Sequence, residues 1–179
     1  MMERLDNTLK QKAKNIKWFF TDIDGTLTDG LVYYDKNGES LKSFSMRDGT
    51  GFFLLRSCGI KTGIITGENS AIVLRRSEKL KVDKCFLNIT NKLQTINEFM
   101  VEHNLSFEEI AYIGDDINDY KLMRQCGFSV AVGDADNRIK SIADYVCHNS
   151  GGRGAFREAV EYLLSLKNIN IESIIDEYL

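Results

Sequence analysis

Three short apolar runs in this chain each stop at a cluster of acidic or glycine residues. Trp18-Phe19-Phe20 leads into Thr21-Asp22-Ile23-Asp24-Gly25-Thr26. Lys61 to Ile65 leads into Thr66-Gly67-Glu68, and Ile110 to Ile113 leads into Gly114-Asp115-Asp116. Apolar runs of this length, bounded by turn-forming residues, read as buried strands. The segments between them carry helical periodicity. Alternating strands and helices require a mainly parallel sheet covered on both faces. In such a sheet the ligand site lies outside the carboxyl ends of the strands. The acidic clusters, far apart in sequence, are therefore expected to meet in space.

The expected order is a lysine-rich amphipathic helix over 3–15, a strand over about 16–22 and a hairpin over about 31–44. Asn37-Gly38 should form its type I′ turn, which needs positive φ at both central residues. A helix closed by Gly59 follows, then a strand at Lys61–Thr66 and a helix at Asn69–Leu80. Lys84–Phe86 is a short strand and 91–103 a helix, and Ser106 with Glu109 fits a capping box before strand Ile110–Ile113. Asn118–Gln125 is helical, Ser129–Val132 a strand, Asp136–Ile142 a helix and Tyr145–Cys147 a short strand. Gly151-Gly152-Arg153-Gly154 reads as a flexible break before a helix at 155–166 and a helical tail over 170–179. The expected architecture is one α/β domain over 1–179, a Rossmann-like three-layer sandwich with no cap domain and one protruding β-hairpin.

Composition excludes several classes. With 179 residues the chain suits one domain with a sizeable core. A net charge of −3 gives no global field for nucleic acid. No apolar run is long enough to cross a bilayer, and the first seventeen residues lack the apolar stretch of a signal peptide. Four widely spaced cysteines and two histidines offer neither a disulfide framework nor a zinc site, so reduced thiols in a cytoplasm are expected.

Packing the carboxylates of Asp22, Asp24, Asp115, Asp116 and Asp119 together costs free energy unless positive charge sits among them. Lys92, at a predicted helix start, supplies one cation. A hard divalent ion such as Mg²⁺ suits the remaining oxygen donors, keeping waters and taking a phosphate oxygen. A carboxylate beside that ion can act as a nucleophile on phosphorus.

The motifs DIDGT at Asp22, IIT ending at Thr66, Lys92, and GDDIND from Gly114, in that order at strand ends, resemble the haloacid dehalogenase-like phosphatase superfamily. The resemblance spans about residues 16–165. It implies Asp22 as the nucleophile that forms an aspartyl-phosphate and Asp24 as general acid and then general base. Thr66 would hold the phosphoryl oxygens and Lys92 would neutralise charge and orient Asp22. Asp22, Asp115 and the backbone carbonyl of Asp24 would hold Mg²⁺, with Asp116 and Asp119 supporting them.

Neither the stretch from Asp22 to Thr66 nor that from Thr66 to Lys92 has room for a cap domain. This arrangement, the run from Leu27 to Gly67 and GGRGAFREAVEYLL at 151–164 resemble the capless phosphatases of eight- and nine-carbon 2-keto-3-deoxy sugar acids. The resemblance implies a homotetramer in which a neighbour completes the pocket. Val32, Tyr33 and Tyr34 place apolar surface on a hairpin too short to bury it, which agrees. Arg47, Asp48 and Gly49 are then expected near the phosphate and Arg153 near the site. Arg76 is the candidate for the substrate carboxylate. Glu68 stands where the eight-carbon enzymes carry arginine, and Lys79 follows eleven positions later. That pair favours the nine-carbon nononate 9-phosphate over 3-deoxy-D-manno-octulosonate 8-phosphate. Two readings of other kinds stay open: a non-catalytic oligomerisation module of a sugar-acid activation pathway, and a phosphotransferase or mutase using the same aspartyl-phosphate.

Overall fold

The computed structural model describes the backbone of residues 2–178. Helix α1 spans Met2–Asn15 and strand β1 Trp18–Thr21; β2 at Tyr33–Asp35 and β3 at Gly38–Leu41 form the hairpin. Helix α2 (Met46–Ser57), β4 (Lys61–Ile65), α3 (Ala71–Leu80) and β5 (Lys84–Phe86) follow. Next come α4 (Lys92–His103), a 3₁₀ turn at Phe107–Glu109, β6 (Ile110–Gly114) and α5 (Tyr120–Met123). The chain ends with β7 (Phe128–Ala131), α6 (Asn137–Lys140), β8 (Tyr145–Val146), α7 (Ala155–Leu166) and α8 (Ile171–Tyr178). The Ser106–Glu109 capping box is present and opens the 3₁₀ turn.

Six strands form one parallel sheet in the order β5-β4-β1-β6-β7-β8. β1 and β6 lie at its centre, and every residue of both is buried. Side chains alternate across the sheet as a period of two requires. Phe19 faces Phe156 of α7 at 5.5 Å between ring centres, and Phe52 of α2 stacks on the same ring at 4.5 Å. Trp18 and Phe20 point the other way, both meeting Phe99 of α4 edge-on at 4.8 and 5.4 Å. Helices α1, α2 and α7 thus cover one face, while α4 and α5 pack on the other. The result is the three-layer α/β sandwich, and no cap domain interrupts it among the described residues.

Two local expectations need correction. Asn37 does not adopt positive φ, whereas Gly38 does, at 118°. The turn is built on Lys36 and Asn37, with Asp35 paired to Gly38, so it is not the type I′ turn of an Asn-Gly centre. The Asp35 carboxylate accepts the Asn37 N–H at 2.7 Å, and this local bond fixes the earlier turn. The 151–154 segment is docked rather than a flexible break. Gly151 N–H donates to Asp134 Oδ1 at 2.9 Å and Gly152 N–H to the Thr26 carbonyl at 2.9 Å. A Cβ at Gly151 would lie 1.7 Å from the Gly25 carbonyl oxygen, so only glycine permits this approach.

Candidate active site

The carboxyl ends of β1, β4 and β6 bring Asp22, Thr66 and Asp115 to one edge of the sheet, as the strand order requires. Asp22 is 3% exposed, and its N–H donates to the Ile113 carbonyl at 3.1 Å, which registers it against β6. Lys92 enters from the first position of α4, where Asn91 caps the helix by accepting the Gln94 N–H at 3.2 Å. The buried Lys92 ammonium donates to Asp22 Oδ1 at 2.5 Å, Asp119 Oδ1 at 2.6 Å and the Tyr112 hydroxyl at 3.2 Å. Asp119 is fully buried and is the organiser of the cluster. Its Oδ1 also accepts the Tyr112 hydroxyl at 2.6 Å, and its Oδ2 accepts the Asp115 and Asp116 N–H groups at 3.0 and 3.4 Å.

Among the described residues, Asp22, Asp115 and Asp119 offer oxygens within 4.8 Å of one another. Asp119 has both oxygens committed, so Asp22 and Asp115 are the ones suited to hold an ion. Thr26 Oγ1 steadies Asp115 Oδ1 at 3.0 Å. A Cβ at Gly25, where φ is 96°, would collide with Asp115 Oδ2 at 2.0 Å, so this glycine makes room for the carboxylate. The electrostatics ask for a cation. Burial, then the field of Asp119, pushes the Asp22 carboxyl up to about 6 although Lys92 pulls it down. Burial, then the charges of Asp22 and Asp119, pushes Asp115 up to about 8. Burial alone would lower the Lys92 pKa, but Asp22 and Asp119 outweigh it and raise it. One ammonium does not neutralise three carboxylates. A divalent ion with oxygen preference fits the donor set.

Asp24 is half-buried beside this cluster, and its Oδ1 accepts a hydrogen bond from the Lys42 ammonium. Sequence reasoning missed both Lys42 and Tyr112. Thr66 is buried, and its oxygen accepts the Glu68 N–H at 3.2 Å, which leaves the hydroxyl hydrogen free to donate. Asp116 is exposed, and its Oδ1 accepts the Ile117 N–H at 2.7 Å.

The tentative substrate residues divide. Asp48 is 2% exposed, and its two oxygens accept the Gly154 and Arg157 N–H groups at 3.2 and 3.0 Å. It therefore caps α7 from α2. Arg76 donates to the Ser45 carbonyl at 3.2 Å and lies over the Phe44 ring at 5.5 Å, next to Gly49. It ties α3 to the exit of the hairpin. Arg47 is exposed on the first turn of α2. Arg153 is largely exposed and lies 3.6 Å from Asp29. Glu68 and Lys79 are both exposed, one before α3 and one at its far end, and no ion pair joins them.

Residues 86–156 match the family model of the haloacid dehalogenase-like hydrolases. The chain is 40% identical over 156 residues to the 3-deoxy-D-manno-octulosonate 8-phosphate phosphatase of Haemophilus influenzae, covering 87% of each. The cobalt-bound structure of the Haemophilus influenzae enzyme superposes with a TM-score of 0.85 at 40% identity, over 88% of this chain and 92% of that one. The Moraxella catarrhalis enzyme, solved with a magnesium ion, a phosphate ion and a KDO molecule, superposes with a TM-score of 0.90 at 35% identity. It covers 97% of this chain and 99% of that one. The fold and the acidic cluster thus define a phosphoric monoester hydrolase with a site for a divalent metal ion. The chain belongs to the haloacid dehalogenase-like hydrolases, among the capless phosphatases related to the 3-deoxy-D-manno-octulosonate 8-phosphate phosphatases.

Proposed function

We propose that this protein removes the 8-phosphate from 3-deoxy-D-manno-octulosonate 8-phosphate, with Mg²⁺, through a phosphorylated Asp22. The observation that carries the substrate is the likeness to octulosonate phosphatases over nearly the whole of each chain. It supports the eight-carbon acid over the nine-carbon acid to which Glu68 and Lys79, at opposite ends of α3, point.

Asp22 attacks phosphorus as the bond to the sugar oxygen breaks. Asp24 gives that oxygen its proton. Asp24 then takes a proton from water as the water oxygen attacks phosphorus, which frees Asp22 and inorganic phosphate. Lys92 holds Asp22 by one oxygen and leaves the other for attack. Thr66, whose hydroxyl is free to donate, steadies the phosphoryl oxygens, with Asp116 at the rim. Asp22 and Asp115, with the Asp24 carbonyl, would hold Mg²⁺, and the ion supplies charge neutralisation for phosphate among fixed carboxylates.

Leu31, Tyr33, Tyr34, Leu41 and Met46, on and beside the hairpin, are all more than half exposed. We place a homotetramer contact there, with a neighbour closing the open site and Arg47, Arg153, Glu68 and Lys79 at its border. No helix among the described residues is long and apolar enough to cross a membrane. The four cysteines are free, which suits a reducing cytoplasm.

Steady-state phosphate release from the eight- and nine-carbon substrates, with and without Mg²⁺, tests this reading. Preference for the eight-carbon substrate and dependence on Mg²⁺ are expected. Turnover of neither substrate overturns it. Preference for the nine-carbon acid restores the reading that Glu68 favours.

A further inference from the structure

Lys42 follows the last residue of β3, and its neighbours Leu41 and Ser43 are exposed. Its own side chain is completely buried. A lysine normally keeps its ammonium in water and buries only its stem. Here the whole side chain turns inward from the hairpin and ends on Asp24 Oδ1. Glu39 Oε1 lies 3.2 Å from the same ammonium and pairs with it as an ion. The other Asp24 oxygen, Oδ2, is buried with no hydrogen-bond partner. The two oxygens of one carboxyl group are therefore distinguished. One is held by a cation and the other has no partner.

We infer that Lys42 is a positioning residue: it holds the Asp24 carboxyl by Oδ1 and so fixes the orientation of the group that exchanges a proton with the reacting centre. In the first step Asp24 gives its proton to the bridging oxygen as the phosphorus–oxygen bond breaks and that bond's electron pair stays on the sugar oxygen. In the second step Asp24 takes a proton from the attacking water, and the bond between phosphorus and Asp22 breaks with its pair returning to the carboxylate. Lys42 exchanges no proton in either step. Because it comes from the hairpin, the hairpin's seating on the domain sets the geometry of the acid.

This inference rests on the phosphatase reading above and is separable from it. A leaving group that is already stable as an anion needs no protonation, so a mispositioned acid harms alkyl phosphates far more than p-nitrophenyl phosphate. The test measures kcat and KM of Lys42→Met and Lys42→Arg on p-nitrophenyl phosphate and on the alkyl phosphate that the wild type turns over fastest. Octulosonate 8-phosphate is that substrate under the reading above. Lys42→Met should lose about 10- to 100-fold in kcat on the alkyl phosphate, with KM nearly constant, since general acid catalysis supplies about 10²–10⁴-fold. Its loss on p-nitrophenyl phosphate should be at least tenfold smaller, and Lys42→Arg should recover part of the alkyl rate. Thermal melts of each variant report folding. Equal losses on both substrates, no loss, or a rise in KM at constant kcat overturns the positioning role. The last outcome makes Lys42 a substrate contact. A wild type that releases phosphate from neither substrate overturns the phosphatase reading itself.

Discussion

The acidic cluster and the hairpin rim lie on the same edge of the molecule but differ in how completely one chain builds them. In the cluster, Asp22, Lys92 and Asp119 are each no more than 3% exposed, and hydrogen bonds of 2.5–3.2 Å link Lys92 to both aspartates and Tyr112. On the rim, large apolar side chains face solvent while Lys42 turns inward, with Glu39 beside it. The acidic cluster is thus pre-formed within the chain, whereas the rim, where we place the contact with a neighbour, is exposed. Burial strengthens electrostatics and fixes geometry. Exposed cations and carboxylates are worth little until something covers them. Breaking the cluster should therefore have large effects, and altering the rim small ones.

The largest effect is expected at Asp22. Asp22→Asn should reduce phosphate release to background, because an amide is a poor nucleophile and a poor metal ligand. The fold should survive, since the neutral amide removes a charge that burial penalises. Activity above a few per cent of wild type would sink the covalent route, and urea titration beside the assay reports the fold. Lys92→Met comes next. It leaves Asp22 and Asp119 buried without their cation, and removing one partner of a buried pair costs about 3–5 kcal/mol. A urea midpoint within error of wild type would show that the ammonium organises the site without holding it together.

The pH dependence sharpens the same contrast. Asp22 moves from its ordinary 3.8 to about 6 and Asp115 to about 8. The folded state then binds these protons more tightly than the unfolded state. Their contribution to stability falls as pH rises from about 4 and levels off above about 8. Mg²⁺ binding requires both carboxylates ionised, so it opposes that fall. The metal-free protein should show a gain in Tm on adding Mg²⁺ that is larger at pH 8 than at pH 5.5. A gain independent of pH would mean that these two carboxylates are not the ligands.

Legibility in the sequence follows the same division. The central strands were readable because β1 and β6 are apolar runs punctuated by turn residues. Asp22, Thr66, Lys92 and Asp115 were readable because their residue types recur in order at strand ends. Tyr112 was hidden inside a core strand, where an aromatic looks like packing. Lys42 had no local signal at all, for a lysine between Leu41 and Ser43 in a hairpin looks solvated. Its burial exists only because the hairpin folds over Asp24. The cap role of Asp48 was not legible locally, because its partners are more than a hundred residues away at the start of α7. Asn37-Gly38 misled because the Asp35 side chain competes for the turn.

The smallest effect is expected at Glu68, and it reads the exposed rim directly. Glu68 is exposed in the single chain and its side chain carries no ion pair. Its backbone N–H is tied to Thr66 Oγ1 at 3.2 Å, so the residue sits close to the phosphate position without being immobilised. A carboxylate there repels the acid group of a sugar acid, and an arginine attracts it. Glu68→Arg should therefore raise kcat/KM for the eight-carbon 8-phosphate relative to the nine-carbon 9-phosphate. Exposed charge contacts are worth about 0.2–1 kcal/mol, so the ratio should move by less than about fivefold if the rim stays open. A neighbouring protomer that covers Glu68 would desolvate the contact and enlarge the shift beyond tenfold. Measuring the ratio for wild type and variant, alongside sedimentation of wild type and of a hairpin variant such as Tyr34→Ser, separates these cases. A large shift in an assembly that Tyr34→Ser dissociates, with the shift shrinking on dissociation, makes specificity a property of the oligomer. An unchanged ratio removes Glu68 from substrate choice and leaves selection to the cations Arg47, Arg153 and Lys79.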